Sequence, residues 1–401
     1  MDMEIVKRFI GRVCRWEYAC LCLLLVLNLA IHFSIINNPP QVVLDEVHYV
    51  EDAREIIHAH NALRVEHPPL GRLIVAFGIA LFGDNPVGWR TFPILFGTAS
   101  IALFYLICRR LGMSLRASNI ATFLLTFENL SFVQGSIAML DVFSLTFMLL
   151  SFWLYLRGSY PLSAVSVALA ALAKLTGVFA IVVIALHWLI ARRTGKIYFV
   201  SSMALAPLGF LLLMPVLEFA IYHRLTNFIS SIVEMISSSA SLTYATTSHP
   251  SAIRPWEILM LPQVMPYHYN PHYFGAISFT IWALIIPTAV YMIIKAVKKN
   301  DAGLFGALWF AGAYLLWLPI VLITDRVTYV YYFYPAIGAI CIGLGMWLSQ
   351  GIDFWQNRQT GKSRWVVLSA VLLFIVLHFA IFAVMAPVNP WPVESLFISL
   401  M

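Results

Sequence analysis

Asp45 and Glu46 stand side by side in QVVLDEVHYV, directly after an apolar run over 17–36. Two carboxylates at a membrane boundary are costly to desolvate unless they meet partners. Neighbours i and i+1 do not share a helix face, so the two should serve different partners. A carboxylate held against a hydroxyl can take its proton as a general base. Equally, Asp45 can cap a helix that starts near Val47. Both readings stand on these residues alone. Glu128 and Asp141 flank a turn in TFENLSFVQGSIAMLDVF. Acids within spans are functional candidates by default, and Lys174 has the same status. The plainer alternative is an interhelical hydrogen bond, which suits Glu128 at least as well. Arg90 opens a span in GWRTFPILFG, and Arg326 lies between two spans in TDRVTYVYYFYP. A lone Arg at a span boundary either snorkels to the headgroups or offers its guanidinium to an anion such as a phosphate. Arg326 can also simply pair with Asp325.

The elements that must position these residues are membrane helices. Of the 401 residues, 61% are hydrophobic and 11% charged, and the mean hydropathy is +0.84. Such a chain is neither a soluble enzyme nor a disordered or nucleic-acid-binding protein. Its net charge of +6 reports orientation, because cytoplasmic loops collect Lys and Arg. A helix needs about 20 apolar residues to cross about 30 Å of hydrocarbon. Spans are predicted at 17–36, 89–108, 115–132, 137–156, 198–221, 273–294, 303–323, 328–348 and 365–386. The apolar stretch 160–190 reads as two short spans, 160–173 and 175–190, meeting near Lys174, with one long buried helix as the alternative. The total is about eleven.

Residues 69–82 form a shorter apolar run with Arg72 inside, and that length suits an interfacial or re-entrant helix. If the run does not cross and the N-terminus is cytoplasmic, most of the 25 Lys and Arg fall inside, among them Lys7, Arg8, Arg12, Arg15, Arg192 and Arg358. If it crosses, only a minority do. The positive-inside bias favours the first arrangement. It puts 37–88, 222–272 and the C-terminal tail on the outer face. The basic N-terminus reads as leading into an uncleaved first span, because the run is long and no small-residue cleavage site follows it. Residues 47–63 carry Val50, Ala53, Ile56, Ile57 and Leu63 on one face and charge on the other, which predicts a second amphipathic helix. His67-Pro68-Pro69 links the two through an extended turn. Cys14, Cys20, Cys22, Cys108 and Cys341 sit in or beside apolar runs, as packing residues do.

Most of the eleven histidines fall on the outer side. His268 and His272 have zinc spacing, but Pro271 breaks a helix between them. His58 and His60 point to different helix faces. No dedicated metal site is expected, although a divalent cation on Asp45 or Glu46 stays open. His67 by itself reads as a hydrogen-bonded structural residue.

Taken in order, LDEVHYV, RVEHPPLGRLIVAFG, VGWRTFPILFG and FENLSFVQGSIAMLD resemble the protein O-mannosyltransferases, and SHPSAIRPWE and TDRVTYVYYFYPAIG resemble that family's C-terminal membrane region. The resemblance covers most of the chain. It implies an all-α polytopic protein of the GT-C glycosyltransferase fold, a polyprenyl- or dolichyl-phosphate-mannose donor, and a Ser or Thr hydroxyl of an exported protein as acceptor. It implies catalytic roles for Asp45 and Glu46 and an essential Arg90. His67, Pro68 and Pro69 match the family's HPP motif, and Asp141 matches its acidic end of an LLD-like segment. Arg72 stands where the family usually has Lys. Glu128 and Arg254 fall inside the matching segments and are supporting candidates. The loop at 222–272 has no room for the β-trefoil domain of eukaryotic members. That places the chain nearer archaeal or bacterial relatives, in a cell membrane with the site on the outer face.

A lipid-phosphate leaving group is already a stable anion, so it calls for cations more than for an acid. Arg90 and Arg326 are expected to supply them, with Arg90→Ala impairing mainly donor use. Asp45 is expected as the base and Glu46 as the group that orients acceptor or sugar. One base with direct attack gives inversion; retention would need a second carboxylate about 5 Å away. The expected organisation is a catalytic module over 1–221, an outer loop over 222–272 and a four-span region over 273–401. Two rivals remain: a GT-C transferase with a lipid or polysaccharide acceptor, and a secondary transporter. The transporter is disfavoured because no repeat is found.

Overall fold

A computed structural model describes residues 16–191, 193–269, 272–357 and 361–387. Lys7, Arg8, Arg12, Arg15, Arg192, Arg358 and the tail from residue 388, assigned above to one face or the other, lie outside these described residues. Helix α1 is Trp16–Ile35. The two amphipathic helices form close to where the sequence puts them, α2 at Glu46–Ala59 and α3 at Pro69–Phe82. Proline at the first position of α3 needs no helical partner for its missing N–H. At 14 residues, α3 is about 21 Å long, short of a bilayer. Both its ends are tied to α2: Arg72 Nη1 meets Asp52 Oδ2 at 3.0 Å, and Arg54 of α2 pairs at 2.8 Å with Asp84, just past the end of α3. Segment 69–82 therefore stays at the level of α2 and does not carry the chain across.

Helix α4, Pro86–Arg110, is started by Asn85, whose side chain accepts from the amides of Val87 and Gly88. Ser114 caps α5, Leu115–Thr126. The expected span 115–132 breaks here. Glu128 caps a separate α6, Asn129–Ser136, which meets α7, Leu140–Leu156, at an angle of 112°. Helix α8, Tyr160–Ala173, stops at Lys174, whose backbone is extended. A 3-10 turn over Leu175–Val178 then leads into α9, Phe179–Ile190. The two-segment reading of 160–190 is the correct one. Gly177 allows the turn, because a Cβ there would lie 2.3 Å from the Ala170 carbonyl carbon.

Helices α10, Lys196–Met203, and α11, Leu205–Tyr222, form one long apolar span. Then come α12, Phe228–Ser241, and α13, Pro255–Met260. The expected span at 273–294 is not helical at its start. Val264–His268 (β1) and Tyr273–Ala276 (β2) form an antiparallel hairpin with Val264 opposite Ala276. Non-helical backbone is tolerated at such depth only inside protein. Here the Asn129 amide nitrogen donates to the carbonyls of Phe274 and Ala276.

Short α14, Phe279–Trp282, precedes α15, Ile285–Val297, and α16, Asp301–Phe310. A π turn joins α16 to α17, Trp317–Thr324; a 3-10 turn over Val330–Ala336 enters α18, Ile337–Asn357; and α19 is Lys362–Met385. Six helices in the described residues are long and apolar enough to cross a membrane by length and composition, or seven if α6 and α7 count as one bent span. The count of eleven is not reproduced. Segments 69–82, 160–173, 175–190 and 285–297 are apolar but shorter. One buried cluster extends from Val43 to Met346, and the hairpin straddles residue 272.

Candidate active site

One end of the bundle gathers the polar residues of the 36–68 segment, Lys174, the hairpin and the 325–332 turn. Asp45 occupies the N-cap position of α2 but makes no capping hydrogen bond. The preceding Leu44 has φ +48°, a left-handed conformation unusual for a non-glycine residue and typical of constrained functional segments. The Asp45 carboxylate makes no hydrogen bond to the described residues and is half-buried. Lys174 and Asp141 are its nearest strong electrostatic influences, with His48 and His249 beyond. Burial raises its pKa above the ordinary 3.8, against the opposing pull of Lys174. It is a carboxylate with nothing to do in the fold.

Glu46 is the opposite case. It is fully buried, as is Arg90. Arg90 Nε and Nη2 reach Glu46 at 3.0 and 2.8 Å. Its remaining donors go to the carbonyls of Ile36, Pro39 and Gln41 at 3.0, 2.7 and 2.9 Å. All five guanidinium N–H groups are thereby used, and none is left for a phosphate. Glu46 also accepts from the amides of Val43 and Ala138. The Ala138 amide is free because the chain breaks between α6 and α7. Arg90 and Glu46 thus clamp segment 36–46 onto that break and hold Asp45 in place. In this geometry Arg90, expected at phosphate, and Glu46, expected at substrate, are both engaged within the fold.

Asp141 lies in the first turn of α7, where the helix dipole favours a negative charge, and Lys174 follows the C-terminus of α8, where it favours a positive one. Lys174 Nζ bonds both Asp141 oxygens, at 2.8 and 2.7 Å, and sits 5.5 Å from the Tyr331 ring centre. The two residues line a pocket together with Ser144, Thr176, Trp317 and Tyr332. Arg326 donates to the Ser239 carbonyl and, at 3.4 Å, to Oη of Tyr332, which lines that pocket. It does not pair with Asp325, which pairs with Arg254 at 3.2 Å.

The other candidates are each engaged with neighbouring groups. Glu128 is buried, accepting from the amides of Ser131 and Ser278. Arg72 holds Asp52 and the Arg64 carbonyl. Arg254 lies over the Tyr244 ring, away from Asp45. His67 takes a hydrogen bond at 3.2 Å from Tyr49 Oη. Burial, then Lys174 and Arg72, push its pKa well below 6.5, so it is a neutral acceptor and no acid. Among the described residues no group of three or more His, Cys, Asp or Glu comes together as a metal site. Glu46, one of the two expected cation ligands, has both oxygens taken. Lys174 was visible in the sequence as a lone cation in an apolar stretch. Its link to Asp141 was not, because the two are separated by a whole helical hairpin.

Broken helices around a polar cavity, with two amphipathic helices in the first loop, define the GT-C class of membrane glycosyltransferase fold. The chain of the Saccharomyces cerevisiae protein O-mannosyltransferase Pmt1-Pmt2 complex bound to the sugar donor superposes with TM-score 0.72 at 12% identity, over 94% of this chain and 91% of that one. ArnT from Cupriavidus metallidurans bound to undecaprenyl phosphate superposes at 0.60 and 16% identity, over 94% and 77%. Residues 82–229 match the family model described as dolichyl-phosphate-mannose-protein mannosyltransferase. A polyprenol-phosphate-mannose–protein mannosyltransferase of Mycobacterium tuberculosis is 35% identical over 116 residues. That stretch is 27% of this chain and 22% of the relative. A dolichyl-phosphate-mannose–protein mannosyltransferase of Candida albicans is 30% identical over 142 residues, 31% and 16% of the two chains. The aligned stretches span under a quarter of each relative.

Proposed function

We propose that this chain transfers mannose from a polyprenyl- or dolichyl-phosphate carrier to Ser or Thr hydroxyls of exported proteins, on the outer face of the membrane. The observation that carries the reading is the unengaged Asp45 carboxylate within electrostatic reach of the Lys174–Asp141 pair, which lines a pocket. The family of residues 82–229 and the relatives' printed activities supply the donor and acceptor classes. The positive-inside bias read from the sequence supports the outer-face assignment.

Asp45 takes the hydroxyl proton as the acceptor oxygen attacks the anomeric carbon. The carrier phosphate leaves with the electrons of the broken C–O bond. Direct attack with one base inverts the configuration. Lys174, held by Asp141, and Arg326 neutralise the departing phosphate. Proteoliposomes supplied with polyprenyl-phosphate-mannose and either a Thr-containing peptide or a lipid acceptor test the reading. Mannosylated peptide supports it; a labelled lipid with no peptide product overturns the acceptor assignment.

Two predictions arise here. Lys174→Gln should lower kcat/KM for donor by about 10²-fold, the scale of one lost electrostatic stabiliser, in steady-state transfer kinetics. The base must be ionised, so the rate should fall as pH drops through the raised Asp45 pKa. The acid limb of the pH–rate profile should therefore lie above 3.8; a profile flat down to that value would remove Asp45 from the role.

A further inference from the structure

Helix α12 has three distinct faces. Phe228, Ile232 and Met235 pack against Leu172, Met214 and Leu70. Ser230, Glu234, Ser237 and Ser241 are exposed. Between these faces stand Ile229, Val233 and Ile236, which are 52, 62 and 56% exposed. At about 100° per residue, this third set falls on a single narrow stripe. A helix resting on a soluble protein has one buried face and one polar face, and the extra apolar stripe needs its own medium.

The neighbouring span identifies that medium. Helix α11 belongs to a span long and apolar enough to cross a membrane and leaves Leu212, Val216 and Phe219 open, a surface suited to acyl chains. The chain passes from α11 to α12 through the short link 223–227, so α12 begins at the end of that span, where the bilayer meets water. A stripe meeting lipid beside a stripe meeting water is the arrangement of a helix lying in the headgroup layer.

We infer that α12 is an interfacial anchor, lying along the bilayer surface with Ile229, Val233 and Ile236 in the acyl boundary and Ser230, Glu234 and Ser237 in the aqueous phase. The partner it fits is the bilayer itself. Ser239 near its C-terminal end donates its hydroxyl to the Glu66 carbonyl at 3.2 Å and offers its own carbonyl to Arg326. The anchor thus fixes the level of the lipid surface relative to Arg326.

The test places a nitroxide label on Val233→Cys and, separately, on Ser237→Cys. The full chain is held as one copy per phosphatidylcholine/phosphatidylglycerol nanodisc, and the signal of the unsubstituted chain is subtracted. Collision rates with oxygen and with a water-soluble nickel chelate are read for each. Residue 233 should show an oxygen-to-nickel ratio several-fold above that of residue 237. Equal nickel access at both positions would put the stripe in water, and shielding of 233 from both reagents would put it against protein; either result overturns the anchor. Ile229→Cys repeats the measurement if Val233→Cys alters the melting temperature. The readout involves no sugar transfer, so it stands or falls apart from the proposed chemistry.

Discussion

Asp45→Asn should insert and fold normally yet lose about 10²–10⁴-fold in transfer rate, the range a positioned general base contributes. The amide keeps the shape of the side chain and removes only its ability to accept a proton. Nothing structural is lost with the charge, because the carboxylate caps no helix and bonds to none of the described residues. Stability should move the other way. The folded-state pKa of Asp45 is raised by burial, so the folded chain holds this proton more tightly than the unfolded one does. Ionisation of Asp45 therefore reduces stability as pH rises from 3.8 through the raised folded value. Asp45→Asn escapes it and should melt no lower than the parent at pH 7, in a thermal unfolding scan run beside the transfer assay. Activity within tenfold of the parent, at undiminished stability, would end the base assignment. Glu46→Gln supplies the contrast: its stability and activity should fall together, since it breaks a buried ion pair.

That contrast was half-legible in the sequence. Adjacent acids on a helix face different partners, so Asp45 and Glu46 were separable in role, with neither singled out as structural. Which one is structural depends on Arg90, 44 residues away, and on the broken backbone at Ala138, and no local pattern announces either. Arg90 reads from sequence as a snorkelling or phosphate-binding cation because its acceptors are mostly main-chain carbonyls of segment 36–41, which have no side-chain signature. The apolar helices were legible where their periodicity or length was decisive, as in α2, α3 and the break at Lys174. The hairpin was not. Tyr273-Phe274-Gly275-Ala276 is as apolar as the span that follows, and it becomes a strand only because Asn129 and β1 satisfy its carbonyls and amides. Helix α12 was missed for the opposite reason: its serines read as loop, and its apolar stripes show only against α11.

Arg90→Ala should destabilise the protein by about 3–5 kcal/mol, the usual result of stranding one member of a buried ion pair. Glu46 would keep its buried charge with only two backbone amides to offset it, and three main-chain carbonyls would lose their donor together. Arg90→Lys should recover little, because an ammonium carries three N–H groups and no planar fork to match five acceptors. Denaturation midpoints in detergent or nanodiscs measure both effects. A phosphate-binding Arg90 would behave differently: Arg90→Lys would keep its stability and raise the donor KM. The double variant Arg90→Met with Glu46→Met separates the two roles further. Replacing both charges leaves neither stranded, so its loss of stability should be smaller than the sum of the two single losses. Transfer should nevertheless stay low, because segment 36–46 is then no longer clamped to the α6–α7 break and Asp45 is no longer held against its substrate.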